Sequence, residues 1–300
     1  MKKYFIFAAA IAMAACSNDG SEQINPSVQN DNVIRLNSSI GSLTRATDGL
    51  LETSFVSGTK VKVKPTDNAT SGPIASYEWV EYTVASNGAL TTSTPQYFPA
   101  SGSSINISAY YPSTASTETN GFVVALDQAG SSADDAYKAA DLMYATVSGI
   151  TQQSSTPTLE FNHKMSKIKV SLVAGTGIQT TEINAATVTL KDVINKGTFV
   201  PTTGNFTAST ETDDKGNVII ARNAGTTAHS AIVIPQSVSD KIIEVTIGST
   251  ARQYTIPTST EFEAGKVYAF TITLNATGIT VQSSIANWNN GTGGSGSVTF

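Results

Sequence analysis

The chain has 300 residues, a formal net charge of −5, and only 14% charged residues, against about 25% in a typical soluble protein. Such a charge-poor, acidic composition excludes a polyanion-binding protein of the usual kind, because phosphate neutralisation needs a basic surface. One Cys and two His exclude an intrachain disulfide and leave a Cys- or His-rich metal site short of ligands.

Lys2-Lys3 precede an apolar run from Tyr4 to Ile11. The run is too short for a bilayer span, which takes about 20 apolar residues, and it fits an export signal over residues 1–15. Met13-Ala14-Ala15-Cys16 follows. The sole Cys, placed directly after small residues, resembles a bacterial lipobox. Cleavage before Cys16 would leave its thiol to carry the lipid (palmitate). An ordinary export signal with an incidental Cys is the alternative. Residues 16–30 are polar and aperiodic, and read as a flexible tether.

Downstream, period-2 alternation recurs where a helical period does not. Ile34, Leu36 and Ile40 share one face of Asn32–Ile40. Ile168, Val170 and Leu172 do so within Lys167–Val173, and Ile243, Val245 and Ile247 alternate with polar residues. Tyr268, Phe270, Ile272 and Leu274 give the clearest strand of all. Gly278–Gln282 and Ser284–Trp288 read as two late strands. Turn signals fall at Asn87-Gly88, Asp214-Lys215-Gly216-Asn217 and Ala264-Gly265-Lys266. Ser132–Tyr144 is the exception and predicts a short helix or an irregular loop. The pattern predicts an all-β protein of antiparallel β-sandwiches. A boundary near Pro157–Glu160 gives two domains, 31–159 and 160–300, the second with a Gly-rich tail.

Chemistry is sparsely signalled. His163 and His229 have no partners at metal-ligand spacing, and His163 reads as structural at the domain junction. Asp134-Asp135 and Asp213-Asp214 lack the spacing of a calcium loop and read as solvated turns. Gly294-Ser295-Gly296 lies too near the end for a nucleophile elbow. No nucleophile–base–acid set, metal site or cofactor motif is visible, so the expectation is no enzyme and no cofactor. Tyr77, Trp79, Tyr82, Tyr97 and Tyr110 could form a sugar-stacking platform, although burial is the commoner fate of such rings.

Several phrases occur in a telling order: Leu43-Thr44-Arg45-Ala46-Thr47, Ile105-Asn106-Ile107-Ser108-Ala109-Tyr110-Tyr111-Pro112, Asp141-Leu142-Met143-Tyr144-Ala145, Leu159-Glu160-Phe161-Asn162-His163-Lys164-Met165, Phe262-Glu263-Ala264-Gly265-Lys266-Val267-Tyr268 and Ile285-Ala286-Asn287-Trp288. With the lipobox in front, this set resembles the fimbrillin family of Bacteroidales, the Mfa-like lipoprotein pilins. The resemblance implies two transthyretin-like antiparallel β-sandwich domains in tandem. It also implies export as an outer-membrane lipoprotein, cutting by an Arg-specific protease, and head-to-tail assembly with other fimbrial subunits into a cell-surface adhesive fimbrium, without nucleic acid. The matching bond here is Arg45–Ala46, which makes 31–45 a removable first strand with Ile34, Leu36 and Ile40 as its apolar face. Loss of that strand would leave a groove with unpaired backbone groups, open to donor-strand addition. The tail offers a weak donor, only Val298 and Phe300 alternating, which keeps a tip adhesin open. A monomeric, anchored glycan-binding lipoprotein is the other alternative.

Overall fold

The computed structural model describes residues 32–41, 54–69, 78–129, 133–222, 226–238, 241–257, 260–287 and 298–299. In chain order the first half contains β1 (Leu36–Ile40), β2 (Lys60–Asp67), β3 (Val80–Val84), β4 (Ala89–Thr91), β5 (Ile105–Tyr111), β6 (Phe122–Val123), helix α1 (Ala133–Ala140), β7 (Met143–Ile150) and β8 (Thr158–His163). Alternation explains these strands. In β2, Val61 and Val63 are wholly buried while Lys60, Lys62 and Lys64 point the other way. The strands join edge to edge in the order β1-β4-β3-β2-β5-β7-β8 and close into a barrel. Closure depends on β1, which runs antiparallel to β4 and parallel to β8.

The second half contains β9 (Ser166–Ala174), helix α2 (Thr180–Ala185), β10 (Thr187–Ile194), β11 (Lys196–Val200), β12 (Asn205–Ala208), β13 (Lys215–Ile219), β14 (Ala221–Arg222), β15 (Ala228–Val233) and β16 (Gln236–Ser237). It continues with β17 (Ile242–Ile247), β18 (Thr250–Thr255), β19 (Glu261–Phe262), β20 (Lys266–Asn275), β21 (Gly278–Asn287) and β22 (Val298–Thr299). A four-stranded sheet, β13-β10-β17-β18, and a six-stranded sheet, β14-β15-β9-β20-β21-β22, contribute to one apolar core. Ile168, Val170, Leu190, Ile243, Phe270 and Ile272 are among its members.

A third, smaller sheet, β12-β11-β6, takes its strands from both halves of the chain. Its inner side joins a separate core in which Tyr110 and Phe122 of the first half meet Phe199 and Ile232 of the second. Through it Val33–Phe300 forms one unit. Two glutamines stitch strand edges here. Gln128 is fully buried; its Nε2 donates to the Ile232 carbonyl at 2.8 Å and its Oε1 accepts from the Ile232 N–H at 3.0 Å. Gln236 makes the same two-way exchange with Ile194, at 3.1 and 2.9 Å.

Several expectations change. The fold is all-β, but among the described strands β1 pairs parallel with β8 and β9 parallel with β20. Both join strands far apart in sequence, as parallel pairing requires. The barrel keeps Thr158–His163 as β8, so the chain leaves it at Lys164, a few residues beyond the predicted boundary at 159/160. The two late strands are one, β21, because Ser283 and Ser284 hold register opposite Phe270 and Ala269. The expected turn at Asp214–Asn217 is a short 3-10 turn, Thr212–Asp214, running straight into β13. Helix α2 went unpredicted because its six residues carry a single buried apolar side chain, Ile183. A capping box starts it, with Gln179 N–H donating to Glu182 Oε2 at 2.7 Å. In the ambiguous Ser132–Tyr144 segment the helix ends at Ala140, and Met143 opens β7.

Candidate assembly site: the first strand and its slot

Period-2 geometry sends residues 34, 36, 38 and 40 to one side of the strand. Ile34, Leu36 and Ile40 are 3%, 2% and 4% exposed, so the face predicted from sequence is wholly inside the barrel. They belong to the barrel core together with Val61, Val63, Tyr82, Leu90 and Phe161. The remaining inward position is Ser38, whose hydroxyl donates to the Gly88 carbonyl at 3.0 Å.

The backbone of this segment is satisfied from both sides. Toward β4, Ile34 N–H donates to Gln96 O at 2.8 Å and Ser38 N–H to Gly88 O at 2.8 Å. Toward β8, Asn37 N–H donates to Pro157 O and Gly41 N–H to Phe161 O, each at 2.9 Å. The register pairs Leu36 with Leu90, and Asn37 to Ile40 with Thr158 to Phe161. Phe161, opposite Ile40, stacks edge-on against Phe55 at 5.0 Å, so Phe55, later in the chain than the predicted cut, packs in the same core.

Burial of each large aliphatic side chain contributes roughly 1.5–3 kcal/mol. Three such side chains contribute roughly 5–9 kcal/mol, an upper estimate because unfolded chains already bury some area. Whole domains are stable by only about 5–15 kcal/mol. A barrel that lost β1 and gained nothing in its place would therefore be close to unfolding. The slot demands an occupant.

Of the residues predicted from sequence, Ile34, Leu36 and Ile40 come together in the slot. Cys16, Arg45 and Ala46 lie outside the described residues, as do Tyr77 and Gly294–Gly296. His163 ends β8 and is buried, with Nδ1 2.7 Å from Asp141 Oδ1. His229, expected in a polar stretch, is buried in β15. Asp213 is exposed, but Asp214 is not a solvated turn residue. Its carboxylate accepts from Lys196 Nζ at 2.5 Å and Ser209 Oγ at 2.6 Å. These partners, Lys196 first, hold it below its ordinary carboxylate pKa. Among the described residues no group of three or more His, Cys, Asp or Glu side chains is arranged to hold a metal ion.

The described aromatic residues of the set, Trp79, Tyr82, Tyr97 and Tyr110, do not share one face. Tyr82 is in the barrel core and Tyr110 in the core shared by the two halves. Trp79 packs edge-on against Tyr110 at 4.9 Å, and Tyr97 stands apart as a 43% exposed side chain. Sequence reasoning missed Gly88, Gln96 and Gly41 as contacts of the strand. Asn87-Gly88 signalled a turn but could not show that its carbonyl faces β1.

The fimbrillin-like family model matches residues 44–288, and the chain belongs to that family. A Bacteroides uniformis protein named as a candidate fimbrium subunit, Fim1C, is 27% identical over 308 residues, covering 98% of both chains. In fold, the chain resembles a crystal structure of a candidate cell adhesion protein from Bacteroides uniformis, with a TM-score of 0.70, 22% identity, and 86% and 99% of the two chains covered. A candidate cell adhesion protein from Bacteroides ovatus gives 0.64, 22%, 85% and 97%. The matched family region begins at residue 44 and so leaves β1 outside it.

Proposed function

We propose that this protein is a structural subunit of an adhesive cell-surface fimbrium that polymerises by exchanging its first strand. In this reading it is exported to the outer membrane as a lipoprotein anchored through Cys16. An Arg-specific protease cuts Arg45–Ala46, and the segment ending at Arg45 then leaves the barrel. A strand from a neighbouring subunit takes its place, joining the two head to tail. A head-to-tail contact repeats along a filament and does not close into a dimer. The barrel and the C-terminal sheet pair are read as the two transthyretin-like modules.

One observation carries the reading. Ile34, Leu36 and Ile40 are buried, yet they sit on a strand whose neighbours in the barrel, β4 and β8, are far along the sequence. A strand that closes a barrel, once cut from the elements that follow it, can leave without unthreading any of them. The backbone edges it vacates are templates for strand addition. Family membership supports the fimbrial setting.

The test is limited digestion with an Arg-specific protease, followed by intact-mass measurement and electron microscopy. The reading expects a cut after Arg45, a compact remainder, and filaments once the segment up to Arg45 is gone. Resistance at Arg45, or a cut protein that never assembles with other subunits, contradicts it. A synthetic peptide of the final twenty or so residues tests donation. A rise in thermal stability of the cut protein supports a shaft role, and no change argues for a tip position.

A further inference from the structure

We propose that exchange begins at the amino-terminal half of the first strand, where an extended segment of a second subunit docks in a groove beside Val33–Asn37. The proposal rests on the strand-exchange reading above and assigns that exchange a direction.

The two ends of the strand are built differently. From Asn37 onward it is paired residue by residue with Thr158–Phe161, and the run closes with the Gly41 N–H donating to Phe161 O. Gly41 is buried in close contact: an added Cβ would meet Asn162 Oδ1 at 2.9 Å and Glu160 Oε1 at 3.2 Å. Backbone pairing with β8 thus covers this end of the strand through its last described residue. Before Asn37 the paired register with β8 stops, since β8 itself starts at Thr158. At this end an open groove of about 450 Å³ runs along the strand. Its walls include Ile34, Leu36, Leu90, Thr91, Pro95 and Thr156.

These walls say what fits. Leu90 and Thr91 belong to β4, and Leu90 is the register partner of Leu36. Thr156 lies on the segment that leads into β8. The groove is thus continuous with both edges of the slot while the slot is still filled. A polypeptide laid there in extended form is already aligned to pair with the edges that β1 holds. Each residue it advances releases one residue of β1, from 36 toward 40, so the barrel is never left open. The strand's carboxyl-terminal end leaves last, which is why a cut beyond residue 41 is needed before displacement can finish.

The test offers a fluorescent peptide with the sequence of residues 32–41 to protein cut after Arg45, and follows its uptake by anisotropy. Thr156→Trp places a bulky ring in the groove at an exposed position. It should slow uptake at least tenfold with the same final occupancy. Thr91→Trp, on the opposite wall, repeats the test independently. Asn162→Ala, at the other end, should leave the rate within twofold. Uptake by both tryptophan variants at the parent's rate overturns the direction while leaving strand exchange intact. Failure of the peptide to enter the cut parent overturns strand exchange, and the direction with it.

Discussion

Ser38 donates twice to one acceptor: its backbone N–H and its hydroxyl both reach the Gly88 carbonyl, at 2.8 and 3.0 Å. Gly88 has φ of +83°, and a Cβ there would lie 3.1 Å from the Ser38 carbonyl. The turn between β3 and β4 therefore acts as a clasp on the strand that closes the barrel. Ser38→Ala removes one of the two bonds and should lower stability by about 1 kcal/mol. Gly88→Ala combines a strained φ with a close contact and should cost more. Urea denaturation of the uncut protein measures both.

The strand's apolar face sets how firmly it stays. Leu36→Ala or Ile40→Ala should each destabilise the uncut protein by about 2–5 kcal/mol. After cutting, the same variants should release the segment up to Arg45 faster than the parent does. Intact mass after gel filtration reads the retained fraction.

Gln128 joins the two halves through the Ile232 backbone, using a side chain fully removed from solvent. Gln128→Ala strips both partners from that peptide edge, and a buried unsatisfied polar group costs about 1–3 kcal/mol. The expected loss is about 2–4 kcal/mol. A replacement of similar chemistry, Gln128→Glu, should not restore stability, because a carboxylate cannot donate to the Ile232 carbonyl. Thermal melting at neutral pH compares them.

Acid should weaken the fold in a defined direction. Asp214 is held below its ordinary pKa by Lys196 and Ser209, Glu244 by Lys191 and Gln253, and Glu81 by Lys60 and Ser113. A carboxyl whose folded pKa is depressed adds stability above its unfolded pKa and loses it as pH falls through the folded value. Stability should therefore be level from neutral pH to about 5 and fall below about 4. Asp214→Asn should flatten that fall. Denaturant midpoints across pH 3–7 check it, and a fall of unchanged steepness in the variant contradicts the assignment.

Alternation made the strands legible where one face is apolar without interruption. Tyr268, Phe270, Ile272 and Leu274 predicted β20, and Ile34, Leu36 and Ile40 predicted the face of β1. The barrel's closure was not legible, because pairing of β1 with β4 and β8 joins residues as far apart as Leu36 and Leu90, and Asn37 and Thr158, which no local pattern encodes. The shared core escaped notice for the same reason: Phe122 and Phe199 show no common signal until β6 and β11 pair. Asp214 and His229 misled because local polarity suggested solvent, whereas Lys196 and Ser209 take up the Asp214 carboxylate and β9 pairs alongside His229.

The account's central claim is that the first strand is a replaceable part of the barrel. Its most direct measurement is the subunit mass within assembled material. Protein cut after Arg45 is incubated at high concentration, and oligomers are separated by gel filtration and weighed intact under denaturing conditions. The account predicts oligomers whose subunits begin at Ala46, with the shorter fragment recovered apart from them. Oligomers whose subunits all retain the fragment ending at Arg45 would contradict it.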